Sequence, residues 1–307
     1  MKLNFRQSFQ PKPFLDLFAL GRRPPITFPS SDAVIVPYGY EGTVTFGHGT
    51  NQGPRGLITA SYQVETFDDE LLDDTQNQIK IWTTPQPPIP KNPEAACRQL
   101  RNIVNEIISL KKCPVVIGGE HTISYGMAQS LNANYKDVSV LVFDAHMDLG
   151  DRYSKRDFTH AAWLKYSLKL PNIKCATLVG IRNFNKIEYE YWQAHKNKVN
   201  VFLARDKKQW SIKKIVDSLS ENIFLSFDID AFDSSVMPAT GTPEPGGLYW
   251  DEVLPIIKAV ALKKNIVGMD LVELAPIRGF QAPDFLAAKL LMKMILYKFR
   301  ASQLVGK

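Results

Sequence analysis

An apolar run, Val138-Ser139-Val140-Leu141-Val142-Phe143, leads directly into Asp144-Ala145-His146-Met147-Asp148. A second run, Ile223–Phe227, leads in the same way into Asp228-Ile229-Asp230. Apolar runs of this length bounded by polar residues are typical of fully buried strands, and side chains two positions apart along a strand point to the same side. We therefore expect each strand to end in acidic side chains that point together.

Four aspartates gathered in this way carry a negative charge that has to be neutralised. Two like charges about 4 Å apart repel by about 4 kcal/mol at an effective dielectric constant of about 20. The formal positive charge of two divalent cations would balance the negative charge of four carboxylates. The four residues are Asp144, Asp148, Asp228 and Asp230. The pattern therefore indicates a metal site.

The composition is typical of a soluble globular protein. Of 307 residues, 45% are hydrophobic and 22% charged, and no stretch approaches the ~20 apolar residues of a membrane span. The segment Phe14–Leu20 is too short and interrupted for a secretory core. Cys97, Cys113 and Cys175 are widely separated, so we expect a cytoplasmic protein without a disulfide framework. The net charge of +6 comes from small basic groups, so neither nucleic acid nor membrane is an expected partner.

Strand and helix patterns alternate from about residue 30 onward. The predicted strands are Ala33–Pro37, Gln78–Trp82, Pro114–Ile117, Val138–Phe143, Ala176–Gly180, Val199–Leu203, Ile223–Phe227 and Ile266–Val272. The predicted helices are Glu94–Leu110, Ala161–Leu168, Lys186–His195, Ile212–Leu219, Trp250–Leu262 and Phe285–Phe299. Stretches rich in glycine or proline are predicted loops, namely Pro37–Pro54, Thr84–Pro93 and Pro238–Gly247. The alternation predicts an α/β fold with a mostly parallel sheet, helices on both faces, and a functional site at the carboxyl ends of the strands.

A third segment, Gly118-Gly119-Glu120-His121-Thr122, follows the predicted strand Pro114–Ile117. Three of the five histidines, His121, His146 and His160, lie in or just after these strand ends. Histidines and aspartates without cysteine make a mixed nitrogen and oxygen site, which suits Mn²⁺. A bridged metal pair lowers the pKa of a shared water, so hydrolysis is the expected reaction.

These three segments resemble the signatures of the arginase and agmatinase (ureohydrolase) family, and the resemblance runs from about Ala33 onward. It implies a three-layer α/β/α fold with an about eight-stranded sheet, two Mn²⁺ per subunit, and hydrolysis of a guanidinium group. Residues 1–30 would be an N-terminal extension and residues 31–307 a single catalytic domain. The implied ligands of the first metal are His121, Asp144, Asp148 and Asp228. Those of the second are His146, Asp144, Asp228 and Asp230, with Asp144 and Asp228 bridging.

The resemblance also implies roles in catalysis and substrate binding. Asp148 would orient the bridging hydroxide, and Glu273, in Met269–Pro276, would pair with the substrate guanidinium. His160 would bind substrate and carry a proton to the leaving amine, because imidazole titrates close to working pH. Thr242 aligns with a loop threonine that helps to hold the guanidinium.

The segment Leu149–Phe158 does not show the pattern of serine and asparagine with which arginases bind the amino acid end of arginine, and its spacing to His160 resembles agmatinases. The predicted reaction is therefore hydrolysis of agmatine to putrescine and urea, a step of polyamine biosynthesis. If Arg152, Lys155 and Arg156 faced the site, they would favour a guanidino acid such as 4-guanidinobutyrate. Arginine and guanidine are the other alternative substrates.

Two alternatives come from other classes. One is a metal-binding regulator without catalysis, which His160 and Glu273 disfavour because neither is needed merely to bind metal. The other is a zinc deacetylase of related architecture, which four aspartates disfavour. The resemblance further implies a homo-oligomer, a trimer or hexamer.

Overall fold

Strands and helices alternate along the chain, as the pattern predicts. The structure is a computed structural model that describes residues 28–150 and 158–304. The strands are β1 (Ala33–Tyr38), β2 (Phe67–Asp68), β3 (Asp73–Asp74), β4 (Ile81–Thr83), β5 (Cys113–Gly118), β6 (Val138–Phe143), β7 (Ile173–Ile181), β8 (Val199–Leu203), β9 (Asn222–Asp228) and β10 (Asn265–Val272). The helices are α1 (Gly53–Ser61), α2 (Thr75–Gln78), α3 (Pro93–Ser109), α4 (Ser124–Asn134), α5 (Trp163–Ser167), α6 (Lys186–Ala194), α7 (Ile212–Asp217), α8 (Trp250–Lys263) and α9 (Ala282–Arg300).

Eight of these strands form one sheet in the order β4-β1-β5-β10-β9-β6-β7-β8. Every neighbouring pair in it is parallel. The strands β5, β10, β9 and β6 are neighbours at its centre, so the chain segments that follow them meet at one edge. This is where the sequence predicts the site.

Alternate residues of each central strand pack into two cores, one on either face of the sheet. In β6, Leu141 and Phe143 belong to one core, whereas Val140 and Val142 belong to the other. Strands buried on both faces carry continuous apolar runs instead of an alternating pattern. The same property made these runs recognisable in the sequence.

Several predicted boundaries differ from the structure by a few residues, and two of these differences have a clear local cause. The predicted strand Gln78–Trp82 starts too early: β4 begins at Ile81, because helix α2 extends to Gln78 and the N–H of Ile79 bonds the Thr75 carbonyl at 3.0 Å. The predicted loop Pro37–Pro54 ends one residue after helix α1 begins at Gly53. Its Pro54 lies at the start of that helix, where a missing N–H costs nothing.

A buried lysine ties the β2–β3 hairpin to α9. Lys293 is 2% exposed, and its Nζ lies 2.7 Å from Asp68, 3.1 Å from Asp69 and 3.0 Å from Glu70. Lys258 also contacts Glu70, at 2.7 Å. None of the helices in the described residues is long and apolar enough to cross a membrane.

Candidate metal centre and active site

The six predicted metal ligands lie together at the carboxyl ends of β5, β6 and β9. His121 opens a short 3₁₀ turn after β5, and Asp144 directly follows β6. Asp228 ends β9, and Asp230 lies in the 3₁₀ turn after it. His146 and Asp148 come from the segment after β6.

One group of candidate ligands surrounds His121. Its Nδ1 lies 3.3 Å from Asp144 Oδ2, 3.2 Å from Asp148 Oδ2 and 3.1 Å from Asp228 Oδ2. All four side chains are buried. They are the side chains that the resemblance assigns to the first metal.

A second group surrounds His146. Its Nδ1 lies 2.9 Å from Asp230 Oδ2 and 3.5 Å from Asp144 Oδ1. Asp144 therefore contacts both histidines, as a bridging ligand would. Asp228 contacts His121 and accepts the N–H of Asp230 through Oδ1, at 2.9 Å.

The chemistry of this cluster fits divalent cations. His121 Nδ1 and Asp144 Oδ2 are buried, and neither makes a hydrogen bond of good geometry with any other described residue. Burial lowers the pKa of His121, but the carboxylates of Asp144, Asp148 and Asp228, 3.1–3.3 Å from Nδ1, raise it well above 6.5. Burial raises the pKa of Asp228 well above 3.8, and the charges of Asp230 and Asp144 add to this rise. Clustered carboxylates attract positive charge strongly, and the histidine nitrogens and carboxylate oxygens lie close enough to share an ion. This donor set is therefore compatible with metal ions.

Hydrogen bonds orient the candidate ligands. His121 Nε2 lies 2.9 Å from Ser226 Oγ, which leaves Nδ1 as the nitrogen that faces the carboxylates. Trp163 donates its indole N–H to Asp148 Oδ2 at 2.9 Å and packs against the His121 ring, with centroids 4.6 Å apart. Contacts of this kind fix the tautomer and orientation of metal-binding side chains.

Two of the predicted site residues adopt a left-handed backbone conformation. Asp148 has φ 51° and Glu273 has φ 65°. Such a conformation costs a residue other than glycine about 1–3 kcal/mol, and it persists where the surrounding structure holds it. Strain of this kind is concentrated at functional sites.

A pocket of about 380 Å³ opens beside the cluster. Its lining includes five acids and, among the described residues, no lysine or arginine. The acids are Asp148, Glu188, Asp228, Asp230 and Glu273. The basic residues that would favour a guanidino acid if they faced the site lie outside the described residues. They are Arg152, Lys155 and Arg156. The described wall therefore favours a cationic ligand.

The remaining predicted site residues, Glu273, Thr242 and His160, line the same pocket. Glu273 Oε1 accepts the backbone N–H of His121 at 2.6 Å. Burial and then the charge of Glu120 raise the pKa of Glu273 well above 4.5. A cation against this side chain would favour its charged form.

Comparison with known proteins gives the family. Residues 31–297 match the arginase family. The chain belongs to the arginase family. It is similar to an N(1)-aminopropylagmatine ureohydrolase of Synechocystis sp., with 31% identity over 298 residues that cover 94% of each chain. It is also similar to an agmatinase of Pyrococcus horikoshii, with 29% identity over 276 residues that cover 89% of this chain and 94% of the relative.

Solved structures agree with this assignment. The agmatine ureohydrolase of Thermoplasma volcanium has a TM-score of 0.81 and 26% identity, and the match covers 95% of both chains. The arginase of Bacillus caldovelox has a TM-score of 0.74 at 20% identity, covering 86% of this chain and 98% of that one, a likeness that shows the fold alone. The predicted family and the predicted arginase-like α/β fold are confirmed. At the level of the arginase family, the prediction of a ureohydrolase enzyme is also confirmed.

In this arginase-family chain, sequence reasoning missed several residues around the pocket. Arg182 donates to the carbonyl oxygens of Asp230 at 2.7 Å, Glu244 at 2.9 Å and Pro245 at 3.1 Å, which fixes the predicted loop Pro238–Gly247 against the turn after β9. Glu188 lines the pocket, and burial raises its pKa to about 7. In the sequence, Glu188 has the pattern of an ordinary acid in the first turn of a helix, so no signal distinguished it.

Proposed function

We propose that the chain hydrolyses the guanidinium group of agmatine to give putrescine and urea. The observation that carries this proposal is the placement of the strained Glu273 in an acidic pocket beside the His121 and His146 clusters. A planar guanidinium can form a two-pronged, charge-assisted contact with a carboxylate. An amine at the far end of the substrate would also be favoured by the acidic wall.

We also propose that two Mn²⁺ ions bind per subunit, held by the six ligands that the resemblance implies. His121 and His146 would each contribute Nδ1, and Asp144 lies between them. When bound, the metals would lower the pKa of water so that hydroxide is available near neutral pH.

The other site residues would then act on the substrate. Glu273 would orient the guanidinium, and Thr242, on the same pocket wall, would assist. Asp148, which accepts the indole N–H of Trp163, would orient the nucleophile. His160 would donate a proton to the leaving amine as the C–N bond breaks.

A second substrate, N(1)-aminopropylagmatine, is supported by one of the relatives. The Synechocystis protein named for that ureohydrolase activity matches 94% of this chain. The pocket wall described above would also favour the additional positive charge of this longer compound.

Urea release by purified, Mn²⁺-loaded protein tests the proposal. Agmatine, N(1)-aminopropylagmatine, arginine, 4-guanidinobutyrate and guanidine are offered separately, with Asp148→Asn as the blank. We expect the highest kcat/KM with agmatine. A preference for a guanidino acid would mean that the basic segment around Arg152 faces the site. No urea from any compound, despite two bound metals, would support the regulator instead.

We propose that residues 31–307 form the single catalytic domain predicted from the sequence. The family match over residues 31–297 and the one eight-stranded sheet support this division. The trimer or hexamer and the cytoplasmic location stay predictions.

A further inference from the structure

His160 is held by two threonines from the loop after β1. Its Nδ1 lies 3.2 Å from Thr43 Oγ1, and its Nε2 lies 3.0 Å from Thr45 Oγ1. The backbone N–H of His160 also donates to Thr43 Oγ1, at 3.0 Å. Thr45 lines the pocket with His160, whereas Thr43 is bonded to the buried Glu120. The two ring nitrogens therefore face different surroundings.

Glu120 is fully buried and is surrounded by donors. Its Oε1 accepts the hydroxyls of Thr43 at 2.5 Å and of Thr122 at 2.6 Å. Its Oε2 accepts the backbone N–H groups of Gly42 at 2.8 Å and of Thr43 at 2.7 Å. Four hydrogen bonds thus fix the carboxylate and, through it, the position of the Thr43 hydroxyl.

The Thr43 hydroxyl has one proton and two acceptor positions. The shortest of its contacts, to Glu120 Oε1, takes the proton. The backbone N–H of His160 takes one acceptor position. Thr122 Oγ1 lies 3.1 Å from the same oxygen but donates its own proton to Glu120 Oε1 at 2.6 Å. The second acceptor position therefore remains for the ring, so Nδ1 is the donor in its 3.2 Å contact.

We propose that Glu120 and Thr43 form a hydrogen-bonded relay that holds His160 in the Nδ1–H tautomer. Nε2 is then the nitrogen that exchanges a proton at the pocket, on the side where Thr45 lies. Glu120 and Thr43 are positioning residues, since they act through His160. The same logic, in which a buried acid fixes an imidazole, recurs in other catalytic sites.

The relay determines which nitrogen of His160 gives up its proton. The transfer of that proton to the leaving amine rests on the proposed function. The imidazolium carries protons on both nitrogens, and its Nε2 proton moves to the leaving amine nitrogen as the C–N bond breaks. The neutral ring keeps Nδ1–H against Thr43. A proton from solvent then restores Nε2–H, so the cycle needs no other reactant.

Steady-state kinetics of Mn²⁺-loaded variants test the relay. We expect Thr43→Val to lower kcat for agmatine by about tenfold or more, with KM changed by less than about twofold, because orientation of the proton donor acts in the transition state. Thr43→Ser keeps the hydroxyl and should restore kcat. Thr122→Val is the matched control, since it removes a hydroxyl that contacts both Glu120 and Thr43 but leaves Thr43 bonded to Glu120 and to His160. Equal kcat losses in both valine variants would overturn the proposal.

A measurement that does not depend on activity separates this relay from the proposed function. The imidazole ¹⁵N spectrum of Mg²⁺-loaded protein at alkaline pH reports the neutral tautomer, and the His160 signal is assigned by its loss in His160→Asn. We expect Nδ1–H in the wild type and in Thr122→Val, and a shift toward Nε2–H in Thr43→Val. An Nε2–H wild type, or no shift in Thr43→Val, would refute the relay even if urea is released. An Nδ1–H ring in a protein that releases no urea would leave the relay standing and reject only the proposed function.

Discussion

Replacing Ser226 with alanine should weaken divalent-metal binding by about ten- to a hundredfold. Ser226 Oγ lies 2.9 Å from His121 Nε2, and both residues are buried, so water does not replace the lost hydroxyl. The alanine variant leaves the Nε2–H of His121 without an acceptor and frees the ring to turn away from the carboxylates. A ten- to hundredfold loss corresponds to about 1.4–2.7 kcal/mol of binding free energy.

The assay is competition for Mn²⁺ between the metal-free protein and a chelator of known affinity. Ser124→Ala is the matched control, because Ser124 is equally buried and its hydroxyl bonds Asp270 at 2.6 Å instead of a histidine. Far-ultraviolet circular dichroism checks that both variants fold. If Ser226→Ala binds Mn²⁺ as tightly as Ser124→Ala, the hydroxyl does not support the metal ligand and the reasoning is wrong.

Three further substitutions probe the substrate pocket and the buried ion cluster. Glu273→Gln should lower kcat/KM for agmatine by about ten- to a hundredfold with unchanged metal content, because a charge-assisted pair is lost; urea release and metal analysis check this. Lys293→Met should reduce the free energy of unfolding by about 3–5 kcal/mol, since it leaves Asp68 buried without its cation, and denaturant unfolding measures the loss. Burial raises the pKa of Glu70, but a hydrogen bond from Lys258, with others, lowers it from 4.5 to about 2. The stability that Glu70 adds over Glu70→Gln should therefore be full above pH 4.5 and shrink as the pH falls toward 2, and an equal difference at pH 5 and pH 3 would contradict this.

The sequence predicted the groups of site residues that lie close together along the chain at the end of one strand. Asp144, His146 and Asp148 alternate directly after β6, and Asp228, the last residue of β9, is followed two positions later by Asp230, so the alternation of a strand predicts that each set points together. The parallel sheet then joins the sets at one edge. Local periodicity and topology were sufficient to predict that these candidate ligands lie together, because both can be read from short, continuous segments.

The contacts that orient these ligands could not be predicted in this way. Ser226 lies 105 positions from His121 along the chain, and Thr43 lies 117 positions from His160. Serine and threonine carry no pattern that names a distant partner, and Trp163 has the sequence signature of an ordinary core residue. Helix α1 was also missed, because its first residues, Gly53 and Pro54, are typical of a loop.

The segment after β5 connects the three parts of the proposed machinery. The ring of His121 faces the carboxylates, its backbone N–H holds Glu273, and the neighbouring Glu120 holds Thr43 and, through it, His160. Close packing maintains this arrangement, since a Cβ on Gly119 would lie 1.8 Å from the Tyr40 carbonyl oxygen. The proposed metal ligand, guanidinium partner and proton donor are therefore positioned by Glu120 and His121, two consecutive residues that follow one strand. A movement of that segment would disturb all three together, whereas Ser226→Ala, Glu273→Gln and Thr43→Val each affect only one of them.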